Sequence, residues 1–99
     1  MSKKPIYLVL DIDIHNLENY QEYIQLGKPI VEKFGGEYLI RGGTIDNAEI
    51  NLWKPQRMVI IKFPDQESAS NWYNSDEYQS IKGIRTRNST STLIFVEGI

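Results

Sequence analysis

The stretch Phe34-Gly35-Gly36-Glu37-Tyr38-Leu39-Ile40-Arg41-Gly42-Gly43 constrains this chain more than any other. Two glycine pairs bracket one short run of strand-forming residues. Gly35 suits the position just past a helix end, where the backbone turns left-handed and a Cβ is penalised. Gly36, at the same helix-to-strand turn, is a second candidate for a positive φ. A β-branched residue is strongly disfavoured in that conformation. Gly42 and Gly43 end the run and predict a bulge or the close approach of another backbone. Arg41, with its fixed charge and forked donors, stands at the mouth of the strand.

The flanking segments have clear periods. From Pro5 to Ile14, the aliphatic Ile6, Leu8, Leu10, Ile12 and Ile14 alternate with Tyr7, Val9, Asp11 and Asp13, which is a strand pattern. Asn16 is a good N-cap. After it, Tyr20, Ile24, Gly27, Val31 and Phe34 recur at spacings of three and four, widened by Tyr23 and Ile30, so this segment is an amphipathic helix. Pro29 lies inside it, cannot donate to the Gln25 carbonyl and predicts a loosened turn. The second strand runs from Gly36 to Arg41. Simple alternation puts Tyr38 and Ile40 on one face and Glu37, Leu39 and Arg41 on the other. Thr44 to Pro55 is a long polar loop, of a length that is often functional. Arg57 to Phe63 is a third strand, stopped by Pro64. Asp65 caps a short helix carrying Ala69, Trp72 and Tyr73. Ser75 caps another that is expected to end at Ile81. Gly83 to Ser89 then reads as a basic connector holding Arg85 and Arg87, before a last strand from Thr90 to Glu97.

Strand, helix, strand, strand, helix, strand is the order of the ferredoxin-like α+β fold, the split βαβ arrangement. It predicts one domain spanning residues 1–99, with a four-stranded antiparallel sheet covered by helices on one face. The other face still carries aliphatic side chains. An exposed apolar face of that size predicts a partner, most simply a second copy in a homodimer.

Composition removes several function classes. The 99 residues are 40% hydrophobic and 24% charged, with a formal net charge of −2. That balance lacks the basic stripe of a nucleic-acid binder. With no cysteine, disulfides, thiolate metal sites and Cys nucleophiles are excluded. The apolar run after Lys3 and Lys4 is broken by Asp11, too early for a leader or a membrane span. A cytoplasmic protein without a membrane partner is the default expectation. The chain has no phosphate loop, dinucleotide fingerprint or serine-nucleophile motif, so no cofactor is expected.

Phe34-Gly35-Gly36, Arg41-Gly42-Gly43, Pro55-x-Arg57-x-Val59-x-Ile61-x-Phe63-Pro64, Trp72-Tyr73-x-Ser75-x-x-Tyr78-Gln79, Arg85 and Val96-Glu97-Gly98 occur in that order. Together they resemble the family catalogued as domain of unknown function 1330, part of the dimeric α/β-barrel superfamily. The resemblance runs from about Tyr7 to Gly98. Glu49-Ile50 and Lys62 depart from its pattern, at a loop Glu-Gly pair and at an acidic residue before Phe-Pro. The resemblance implies a ferredoxin-like protomer and a sheet-to-sheet dimer, and it implies no assigned reaction. The wider superfamily includes cofactor-free monooxygenases, isomerases and haem-degrading enzymes, so the fold leaves function open.

Several residues can carry chemistry. Asp11, Asp13 and His15 alternate along one strand face and can be read as divalent-metal ligands; the plainer reading is a solvated strand end, and no metal is expected. His15 is the only histidine and a candidate for proton transfer near neutral pH. Arg41 and Arg85 can clamp a carboxylate or enolate, or be held structurally by Glu37, Glu49 or Glu97. Tyr23, Trp72, Tyr73 and Tyr78 can line an aromatic pocket, or simply fill a small core. Tyr23 beside an arginine can donate a proton to an oxyanion. The expected ligand is therefore a small organic acid or enol, bound around Arg41, Trp72, Tyr73, Tyr78 and Arg85. Tyr23 or His15 is the candidate catalytic group if the protein is an enzyme. The alternative is a non-catalytic ligand-binding or interaction module.

Overall fold

The computed structural model describes residues 3–99. Four strands and three helices follow in the order β1 (Ile6–Ile14), α1 (Leu17–Lys33), β2 (Glu37–Arg41), β3 (Met58–Phe63), α2 (Gln66–Tyr73), α3 (Asp76–Asn88) and β4 (Ser89–Glu97). The sheet is antiparallel throughout with strand order β2-β3-β1-β4. This is the ferredoxin-like α+β fold of dimeric α/β-barrel protomers.

The period of β1 decides which face is covered. Ile6, Leu8, Leu10 and Ile12 are buried, and with Val59, Ile61 and Phe63 of β3 they pack beneath Tyr20 and Val31 of α1, Ala69 and Trp72 of α2, and Tyr78 and Ile81 of α3. The helices start where the sequence places their caps. Asn16 Oδ1 accepts from the Asn19 amide at 3.0 Å, Asp65 Oδ1 from Ser68 at 2.8 Å, and Ser75 Oγ from Tyr78 at 3.1 Å. Each satisfies an amide that the helix leaves unpaired. Helix α1 continues past Pro29 to Lys33, and Gly35 follows with φ +85°.

Three sequence expectations need correction. Helix α3 does not end at Ile81; it runs on to Asn88 and leads directly into β4. The supposed basic connector is its second half. Arg85 lies on the same helix face as Tyr78 and Ile81, and all three are buried. Gly83 costs the helix about 1 kcal/mol relative to alanine, which the packing of this face offsets.

The second correction concerns β2. Its alternation is broken by a bulge between Tyr38 and Ile40, where Leu39 is the extra residue. Tyr38 pairs with Ile61 and Arg41 with Val59, so both lie on the helix-covered side; Ile40 pairs with Ile60 on the open side. A bulge shifts the side-chain alternation by one residue. Arg41 is thereby turned under the helices instead of away from Tyr38.

The third concerns Gly36, whose φ is not positive. Its requirement is steric. A Cβ there would lie 2.5 Å from Val31 Cγ1 and 2.9 Å from Phe63 Cε1, closer than carbon atoms pack.

The loop between β2 and β3 is tied to the sheet by one carboxylate. Asp11 Oδ1 accepts from the Gln56 amide at 2.8 Å and from Arg57 at 3.3 Å, and Oδ2 accepts from Trp53 Nε1 at 2.9 Å. The open sheet face carries the row Ile40, Ile60, Val9 and Ile94, one residue from each strand in register. Ile40 is 42% and Ile94 49% exposed. Among the described residues, no helix is long and apolar enough to cross a membrane.

Replacing Gly36 with alanine or valine should destabilise the fold by about 1–3 kcal/mol, the usual cost of overpacking, with valine the worse. Urea unfolding measures it. An unchanged midpoint for both variants would show that Val31 and Phe63 yield without cost.

Candidate functional site

Two adjacent rungs of the sheet form the floor of a cavity beneath α1. One rung is Arg41, Val59, Leu10 and Leu93; the other includes Tyr38, Ile61 and Leu8. Tyr20, Tyr23, Ile24, Gly27 and Val31 of α1 cover it, and Trp72 of α2, Tyr78 of α3 and Arg57 complete the lining. The cavity measures about 30 Å³, enough for one or two waters. Aliphatic walls surround a small set of polar groups, as in small-molecule sites.

The arginines form its charged part. Arg41 Nη2 donates to the Ile24 carbonyl at 2.5 Å, and its guanidinium lies 4.6 Å from the centroid of the Tyr38 ring. The carboxylate partners considered for it, Glu37, Glu49 and Glu97, are not bonded to it. Arg57 was not expected here. Gly42, with φ +75°, makes its position possible: a Cβ on Gly42 would lie 2.7 Å from Arg57 Nε. The space beside Gly42 is thus filled by Arg57, while that beside Gly43 is open. Among the described residues, the ion pairs use lysines and His15; none takes Arg41, Arg57 or Arg85.

The phenols and the indole form the neutral part. The Tyr23 and Tyr78 hydroxyls are 3.0 Å apart. Arg85, 5% exposed, donates from Nε to the Tyr78 oxygen at 3.3 Å and from Nη1 to Ser91 Oγ at 2.6 Å. Trp72, 2% exposed, has a buried Nε1 with no hydrogen-bond partner. Such a group carries a desolvation cost of about 1–3 kcal/mol unless something supplies an acceptor.

Burial raises the Tyr23 pKa well above the ordinary phenol value, and the adjacent Tyr78 adds to the shift. Burial also raises Tyr20 and Tyr38, partly offset by nearby arginines. Near neutral pH these three groups are protonated, so Tyr23 can act as a hydrogen-bond donor or acid and not as a base.

Of the residues singled out in the sequence, Tyr23, Arg41, Trp72 and Tyr78 line the cavity together. Tyr73 and Arg85 do not. Tyr73 packs behind, with its ring 5.9 Å from Trp72, 5.7 Å from Tyr78 and 6.0 Å from Phe95. Arg85 stands behind Tyr78. His15 is remote: it is exposed at the β1–α1 turn, with Nε2 3.1 Å from Thr90 Oγ1 and 3.7 Å from Asp13. Asp11 is occupied in holding the loop, and no group of potential metal ligands forms among the described residues. Arg57, Tyr20 and Tyr38 complete the lining. Arg57 shares the period of Val59 and Ile61, a signal that would have placed it on this face. The Leu39 bulge has no such signal.

The shifted phenols give a pH dependence with a definite sign. An unfolded tyrosine loses its proton near pH 10, while Tyr20, Tyr23 and Tyr38 in the native state hold theirs to higher pH. Their contribution to stability is complete below about pH 10 and is lost as pH rises above it. The urea midpoint should therefore fall from about pH 10 upward, with native tyrosinate absorbance lagging behind that of the unfolded chain. Superimposed titration curves would contradict the burial of these hydroxyls.

The fold is shared with solved structures at low identity. A protein of unknown function from Rhodopseudomonas palustris superimposes with a TM-score of 0.77 at 15% identity, over 98% of this chain and 84% of that one. A Bacteroides thetaiotaomicron protein described as a possible oxidoreductase gives 0.64 at 13% identity, over 98% and 100%. An ethyl tert-butyl ether d (ethd) family protein from Bacillus halodurans gives 0.56 at 16%, over 97% and 99%. At these identities the likeness is one of fold. No curated protein matches the sequence. The model of the family described as Domain of unknown function (DUF1330) matches residues 5–99, nearly the whole chain, and the chain belongs to that family.

Proposed function

We propose that the protein binds a small organic anion in the cavity between α1 and the sheet, with Arg41 and Arg57 as the anchor. One observation carries the reading: both guanidiniums line the same largely apolar cavity, and no carboxylate lines it with them. An arginine cannot shed its charge, and its planar fork matches a carboxylate or enolate. A ligand larger than two waters must displace the half-buried Ile24, Tyr38 and Arg41. Side-chain changes of that kind are common on binding.

The lining has no carboxylate and no histidine, hence no base at neutral pH. His15 has no part in the site. This favours the binding module over an enzyme that abstracts a proton. A cofactor-free reaction here would begin with an already ionised or enolised substrate, stabilised by the arginines and by the Tyr23 hydroxyl. A possible oxidoreductase among the fold relatives does not change that chemistry.

The open sheet face supports a homodimer. The in-register row Ile40, Ile60, Val9 and Ile94 is continuous across all four strands, and a second copy would remove it from water. The interface should bury at least about 1,000 Å² in total. Sedimentation at micromolar concentration should give a dimer, and replacing both Val9 and Ile94 with lysine should give a folded monomer. A monomeric wild-type protein rules the interface out.

The anchor is tested with a panel of small organic acids screened by thermal shift. For the best binder, Arg41→Lys should weaken affinity by about 1–2 kcal/mol, the range of a charge-assisted hydrogen bond, because the charge stays and the fork is lost. Arg41→Ala should weaken it further while changing the melting temperature little, since no buried carboxylate is left unpaired. A large loss of stability with unchanged affinity would assign Arg41 a structural role.

A further inference from the structure

The polar groups of the cavity are unbalanced, and the imbalance describes the ligand beyond its charge. Tyr23 and Tyr78 have two hydroxyl protons, and one can lie between their oxygens, 3.0 Å apart. Arg85 donates into the Tyr78 oxygen. The second phenolic proton has no acceptor among the described residues. The Trp72 Nε1–H, fully buried, has none either. Arginine and indole nitrogens only donate. The cavity therefore has a surplus of donors at both of its ends.

Those ends are separate. Arg41 belongs to β2, at one edge of the sheet. The indole and phenol group sits over the middle of the sheet and toward β4: Trp72 lies 5.5 Å from Phe63 of β3 and 6.4 Å from Phe95 of β4, and Arg85 bonds to Ser91. Two strand spacings separate β2 from the central β1, about 10 Å between backbones.

We infer that the cavity has a second subsite, formed by Tyr23, Tyr78 and the Trp72 indole, that takes an uncharged oxygen acceptor of the ligand. This rests on the anion-binding reading for the other end. The ligand class is then an oxo acid whose carbonyl is set more than one carbon away from its carboxylate. The carboxylate meets Arg41 and Arg57, and the carbonyl oxygen meets the indole and the free phenolic proton. Aliphatic side chains of β1 and β3 lie under the carbons between. Arg85 is a positioning residue. Its donation into the Tyr78 oxygen favours the Tyr78 proton pointing to Tyr23 and the Tyr23 proton pointing into the cavity.

The matched probes are levulinate, a γ-keto acid, and valerate, the same carbon chain without the keto oxygen. Calorimetric titration of the wild-type protein should show levulinate binding about three- to tenfold tighter, the worth of one hydrogen bond. In Tyr23→Phe, which removes a single oxygen, that preference should shrink towards one while valerate affinity is retained. Trp72→Phe should behave in the same way. The Trp72 indole proton signal, distinguished from that of Trp53 by Trp53→Phe, should move with levulinate and stay in place with valerate. Equal affinity of the two acids for the wild-type protein overturns the second subsite and leaves the arginine anchor standing. So does a preference that survives in both variants. Failure of either acid to bind overturns the anion-binding reading and this inference with it.

Discussion

Everything in the structure depends on β1 pairing on both sides. It lies between β3 and β4, meeting β4 over its whole length and β3 from Ile6 to Asp11. Its helix-facing side chains, Ile6, Leu8, Leu10 and Ile12, are therefore at the centre of the core, and each is almost completely buried. Burying an aliphatic side chain of this size is worth about 1.5–3 kcal/mol, and a one-residue slip would move all four to the opposite face. The same register places Leu8 and Leu10 in the cavity floor. The cavity is thus an interruption of the core, built on the strand the fold can least afford to shift.

How far the sequence revealed this depends on whether an element follows one period. Strand β1 and helix α1 do, and their positions were legible from Ile6 and Asn16 onward. The bulge in β2 was not. In a five-residue strand either face assignment for Arg41 is compatible with the composition, and only the pairing with β3 decides between them. The second half of α3 was hidden for a different reason. Gly83, Arg85 and Arg87 look like a solvated connector, because buried arginines are rare and pattern arguments place them outside. The polar network of Arg85 with Tyr78 and Ser91 lies within α3 and the start of β4, but its link to Tyr23 of α1 comes from a distant element that no local window contains.

The glycines show the same distinction. Their importance was legible at Gly35, Gly36 and Gly42; the left-handed backbone expected at Gly35 is present, whereas Gly42, expected to mark a bulge or the approach of another backbone, has a positive φ and a side chain for its neighbour. At Gly36 the physical cause is the close approach of Val31 and Phe63. At Gly42 the absent side chain accommodates the Arg57 guanidinium. A glycine read from sequence signals that something is near or that the backbone turns. Which of the two applies is a tertiary fact.

The cavity's polarity is best understood through what it lacks. An aspartate or glutamate among the lining residues would have satisfied the arginines, and the fold has carboxylates to offer: Asp11 holds the nearby loop by three hydrogen bonds. Placed in the cavity instead, such a group would lock the guanidiniums into a structural pair and repel any anion. Arg41 has a backbone carbonyl and an aromatic face in its place. Those contacts hold the side chain in position while leaving its charge uncompensated, a state that is less stable than a pair but open to exchange. The orphan indole of Trp72 is the neutral counterpart of this arrangement. A core selected for stability alone would replace it with phenylalanine or give it a carbonyl to bond. Both departures fall among the residues of one cavity, on the same side of the sheet, while the buried Arg85 and Ser89 outside it are hydrogen-bonded and the helix caps are satisfied. That concentration is the physical ground for treating the cavity as a site and not as a packing defect.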